Sequence, residues 1–144
     1  MQRENEPEMP EISVDKVCFV VVKSRELFSE DEGARPDASN PSDDGARVTL
    51  TDAADRTVRL ELREFINALD TDEAAALVAL AWIGRGDFDP ADWRDAVREA
   101  GARRETSTAN YLLGMPLLPD HLEDALSAYD RSCQGFEERA ARGS

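Results

Sequence analysis

Histidine and lysine are almost missing from this 144-residue chain: His121 is the single histidine, and Lys16 and Lys23 are the only lysines. A lone histidine cannot complete a zinc site without thiolates or carboxylates around it. Its acidic neighbours Asp120, Glu123 and Asp124 are equally well explained by the positive end of a helix. No metal, no cofactor and no catalytic group is therefore expected. Positive charge is scarce overall, with 17 Lys and Arg against 31 Asp and Glu and a net charge of −14. Such an excess repels phosphate backbones and anionic lipid, so direct nucleic-acid or membrane-surface binding is not expected. No apolar run approaches the ~20 residues that span a bilayer. The two cysteines, Cys18 and Cys133, have no second pair, which excludes a disulfide-rich scaffold or a zinc ribbon. Reduced thiols in a cytosolic protein are expected, with Cys18 as a buried small hydrophobe. Residues 1–11 are acidic and hold Pro7 and Pro10, unlike a signal peptide. A cytoplasmic location is expected.

What is present is a helical pair from Asp70 to Gly101. Asp70 and Glu73 have capping-box spacing, and Asp72 adds charge suited to the helix start. Ala74 to Ile83 leaves almost no polar face, so this helix is predicted to be buried on most sides. Gly84 and Gly86 end it. Asp89 is the expected N-cap of the next helix, with Pro90 at its first position. Phe88 and Trp93 have hydrophobic-staple spacing, and Trp93, Ala96, Val97 and Ala100 recur at i, i+3, i+4, i+7.

The rest is arranged around that pair. Residues 1–11 read as a disordered acidic tail. One helical domain is expected over 12–132, with a flexible acidic insert at 30–46 and a polar tail at 133–144. Ser13 caps a first helix to about Ser29, although the run Val17–Val22 also fits a strand. Helix is preferred because no turn signal follows it. Two alternating pieces, 47–51 and 56–60, allow a short β-hairpin, after which Leu62, Phe65, Ile66 and Leu69 take helical spacing. Thr106 or Ser107 caps a short helix ending at Gly114, and Pro119 opens a last helix through Leu122, Ala125, Leu126 and Tyr129. The predicted fold is mainly α: a small orthogonal domain of about five helices.

The strings Ile12–Phe19, Leu77–Phe88 and Tyr111–Leu118 resemble a family of bacterial domains of unknown function, DUF3775, found mainly in proteobacteria. The resemblance covers roughly residues 61–130 and the first helix. It implies a small helical domain in a bacterial cytoplasm and carries no activity, cofactor or catalytic residue. The acidic insert lies outside it.

Candidate chemistry is thin. Gly84-Arg85-Gly86-Asp87 reads either as an anion or ligand loop with Arg85 as the contact, or as a glycine cap and a turn. It is too short for a phosphate loop and lacks its lysine. Asp87, Asp89 and Asp92 do not have calcium-loop spacing. A small ligand-binding protein or enzyme using the Gly84–Asp87 turn, with Arg85, Asp87 and His121 as its site residues, is the second candidate function. The first is a non-enzymatic interaction or regulatory module that contacts a protein partner or its own copy through Tyr111, Met115, Leu117 and Leu118. A third reading, an acidic mimic of nucleic acid, would require carboxylates arrayed on one rigid face.

Overall fold

A computed structural model describes residues 11–33, 56–103, 107–136 and 138. Among these residues the chain is helical, with no strand. The mainly α expectation holds, with six α-helices among the described residues against an expectation of about five.

Helix α1 runs Val14–Gly33. It opens where Ser13 Oγ accepts from the Lys16 N–H at 3.2 Å. The valine run 17–22 is helix, because Val17, Cys18, Val20, Val21 and Leu27 fall on one buried face. Ser24, the buried polar residue of that face, donates its hydroxyl to the Val20 carbonyl at 2.6 Å.

Helix α2 covers residues 56–67. The second arm of the hairpin that the sequence allows is therefore its first turns, and the first arm at 47–51 lies outside the described residues. The physical reason lies in the burial: Val58, Leu62 and Ile66 are all core residues at i, i+4, i+8. Leu60, which made the piece look alternating, points to solvent instead. α2 lies against α1, with the Phe19 and Phe65 ring centroids 4.3 Å apart and Lys23 reaching Glu61 at 3.2 Å.

Helix α3 (Thr71–Arg85) is the central element. Its capping box forms as the sequence predicts: Asp70 accepts from the Glu73 N–H at 2.8 Å, and Glu73 accepts from the Asp70 N–H at 3.0 Å. Lys16 Nζ also donates to Glu73 at 2.5 Å. Lys16 first, and then the Asp70 amide, lower the Glu73 carboxyl below its ordinary range. Ala75 through Ala81 and Ile83 are buried. The helix ends at Gly86, which takes φ 97°.

A 3₁₀ turn, Pro90–Asp92, precedes helix α4 (Trp93–Ala102). This corrects the expected start. Asp89 makes no side-chain cap bond, and its carbonyl accepts the Asp92 N–H at 2.9 Å to close the turn. The expected staple is also replaced. The Phe88 ring stacks on Trp82 at 5.7 Å, while Trp93 meets Tyr129 edge-on at 5.8 Å and donates to Glu11 at 2.9 Å.

Helix α5 (Thr108–Leu113) is capped by Ser107, which accepts from the Asn110 N–H at 3.0 Å. Helix α6 (Leu118–Ala128) buries Leu118, Leu122, Ala125 and Leu126. α3 packs most extensively on α6 and α4, and α1 packs on α6. At the α3–α6 crossing Gly84 is indispensable, since a Cβ there would sit 1.7 Å from the His121 carbonyl oxygen. Tyr129 closes α6, its hydroxyl donating to the Pro90 carbonyl at 2.6 Å. Burial first, and then the nearby Asp92 charge, push the Tyr129 phenol up to about 12.

Cys18 and Cys133 are joined in a disulfide. The expectation of separate thiols is corrected. They stand 115 residues apart in sequence, and the packing of α1 on α6 brings their Cα atoms to 5.5 Å. No helix among the described residues is long and apolar enough to cross a membrane.

Candidate functional site

The end of α3 puts Arg85 outside the core, and the Gly86 turn folds Asp87 back towards it. Arg85 Nε and Nη2 both donate to Asp87 Oδ2, at 2.9 and 2.7 Å. Asp87 first, and to a lesser extent the Tyr111 hydroxyl, raise the Arg85 guanidinium above its ordinary value against the opposing cost of burial. Arg85 Nη1 also lies 4.0 Å from the Met115 sulfur.

Tyr111 is the hub of this corner. Its hydroxyl accepts from the Trp82 indole N–H at 2.8 Å, and the Arg103 guanidinium lies over its ring at 3.9 Å. Trp82 in turn stacks on Phe88. Four elements thus meet: the end of α3, the loop after it, the end of α4 and helix α5. Beside them a cleft of about 260 Å³ is lined by Leu69, Thr71, Ala75, Gly101, Arg103 and Thr108.

The residues singled out in the sequence divide as follows. Arg85, Asp87, Tyr111 and Met115 come together at one corner. Leu117 is 57% exposed, whereas Leu118 is wholly buried and Met115 nearly so. Of the four apolar contact candidates, Leu117 is the one displayed, and Leu118 is a core residue. His121 presents its backbone to Gly84, one residue before Arg85. The described hydrogen bonds of Arg85 go to Asp87 and the Met115 sulfur, not to His121. Among the described residues no cluster of three or more histidine, cysteine or acidic side chains is arranged to hold a metal.

Arg103 was not singled out, and its sequence signal was only a basic turn beside Arg104. Its place over Tyr111 depends on how α4 ends against α5, which no local pattern encodes. The chemical character of the corner is that of a clasp. Its strongest donors and acceptors are spent on each other, which holds the Gly86 turn to α5.

A family profile described as a protein of unknown function, DUF3775, matches residues 59–130, half of the chain. The chain belongs to that family. The matched residues run from α2 through α6, so the first helix, included in the resemblance read from the sequence, falls outside them. Neither the curated proteins nor the solved structures compared with the chain give a match.

Proposed function

Taking membership of DUF3775 as the premise, we propose that this chain is a non-enzymatic protein-interaction module, cytoplasmic and bacterial, with the α5–α6 corner at Leu117 as its contact surface. The observation that carries the reading is the pairing of polar groups beside that corner with each other. Arg85 is held by Asp87 at 2.7 Å and Trp82 by Tyr111 at 2.8 Å. A catalytic group needs a free donor or acceptor within reach of a substrate. These groups instead stiffen the surface that displays Leu117. A rigid exposed leucine on a capped corner loses little entropy on binding and gains apolar burial.

The test is site-specific photo-crosslinking in the host. A benzophenone side chain at Leu117 is expected to trap one discrete partner band, or a dimer of this chain. The same group at Asp124, on the exposed face of α6, is expected to trap none. Equal labelling from both positions, or none from Leu117, overturns the reading. Placement in the cytoplasm has its own check in cell fractionation: the chain is expected to be recovered with soluble cytosolic markers, and recovery in the periplasmic or secreted fraction would contradict it.

A further inference from the structure

The outer face of α2 carries Arg56, Arg59, Leu60 and Arg63 at i, i+3, i+4, i+7. With Thr57 they line a shallow groove of about 490 Å³. Leu60 is 55% exposed, which makes it, with Leu117, one of two large apolar side chains so displayed among the described residues.

The charge pattern sets this face apart. Acids outnumber bases by 31 to 17, so a surface cation here has carboxylates to choose from. Of the eight other described cations, five use them, whereas Arg103 lies over the Tyr111 ring and Arg131 donates to the Tyr129 carbonyl. Lys16 pairs with Glu73, Lys23 with Glu61, Arg25 with Asp120 and Glu123, Arg85 with Asp87, and Arg98 with Asp95. Arg56 and Arg59 make no ion pair or side-chain hydrogen bond among the described residues, and Arg63 reaches only the neutral Asn110 side chain. Three guanidinium groups thus surround an exposed leucine, and none of them is paired with a carboxylate among the described residues.

We infer that this face of α2 binds an acidic peptide segment of a partner protein, carboxylates on Arg56 and Arg59 and an apolar side chain over Leu60. Guanidinium forks suit carboxylates in two-bond geometry. Their aliphatic stems extend the apolar floor that Leu60 begins. From Arg56 to Arg63 the stripe spans about 10 Å of helix, enough for two or three carboxylates placed one helical turn apart. Nucleic acid also carries regularly spaced negative charge, but at a density far above that of a short acidic segment, so the net charge of −14 opposes it more strongly. The inference takes the interaction reading as its premise and uses a different helix from the Leu117 corner, so the two can fail separately.

Fluorescence anisotropy of the full chain at low salt tests it. The probe is a fluorescein-labelled dodecapeptide of four Glu-Glu-Leu repeats. Saturable binding is expected, weakened about tenfold in the R56E/R59E double variant and similarly in L60S, a loss of about 1.4 kcal/mol in each case. R94E, which reverses an exposed cation on α4, is expected to bind like the parent. Circular dichroism and unfolding midpoints equal to the parent's show that these surface variants fold. The inference falls if the peptide does not saturate, if the α2 variants bind like the parent, or if a labelled thymidine oligonucleotide binds as tightly. It also falls if binding appears only after Asp37, Asp43 and Asp44 are changed to asparagine, because the occupant is then the chain's own acidic segment. Failure here with a discrete crosslink from Leu117 leaves the interaction reading standing.

Discussion

Helices α2 and α3 follow each other in sequence and are used in opposite ways. α3 is buried from Ala75 to Ala81 and lets α6 approach so closely that Gly84 has no room for a Cβ. α2 buries Val58, Leu62 and Ile66 on one face and leaves Arg56, Arg59 and Leu60 on the other. Helical stability in a globular protein comes mainly from packing of the apolar face. α3 therefore carries the fold, while the outer face of α2 and the Leu117 corner contribute little to it. What those surfaces display is Leu60 and Leu117.

The comparison can be broken most severely at Gly84. G84A forces a Cβ onto the α6 backbone, and backbone cannot step aside as a flexible side chain can. A loss of about 4 kcal/mol is expected, above the usual range for overpacking because the clash is with backbone, measured by urea denaturation. Survival of G84A at parental stability would show that the two helices part easily.

Reducing the Cys18–Cys133 disulfide comes next, since it closes a loop over most of the chain. About 3 kcal/mol is the expected loss, read as the difference in unfolding midpoint with and without reductant. An unchanged midpoint would mean that α1 is held on α6 by packing alone.

Tyr129 sharpens the same contrast through pH. Its folded phenol titrates at about 12, above an unfolded value near 10. The folded state therefore holds the proton more tightly. The contribution is fully present below pH 10 and is lost as pH rises towards 12. Melting temperature is expected to fall across that window, and to fall less in Y129F. Equal falls in parent and variant would remove the burial argument. The capping box is a smaller lever: D70A is expected to cost about 1 kcal/mol, whereas loss below the error of denaturant titration would show that α3 needs no cap.

These contrasts were unequally legible in the sequence. The α3 capping box, the Gly86 stop and the Ser107 cap are local patterns, and each forms as its spacing predicts. The start of α2 stays open between helix and strand in the sequence because Val58 and Leu60 alternate over a stretch too short to separate a period of two from one of 3.6. Only the partnership of Val58 with Leu62 and Ile66 decides it. Asp89 was expected as a cap from its residue type, but a 3₁₀ turn takes its carbonyl instead. The disulfide joins residues 115 apart, and that proximity comes from tertiary packing, which spacing cannot show. At the candidate site, Arg85 with Asp87 could be read from adjacency. The burial of Leu118 and the place of Arg103 over Tyr111 follow from how α4, α5 and α6 meet.

The most direct test of the division between fold and display is urea denaturation of the L60S/L117S double variant. The account predicts an unfolding free energy within about 0.5 kcal/mol of the parent, as expected for surface positions that hold no structural contact. A loss of about 2 kcal/mol or more, the scale of a core truncation, would show that both leucines belong to the fold and would remove them as contact residues.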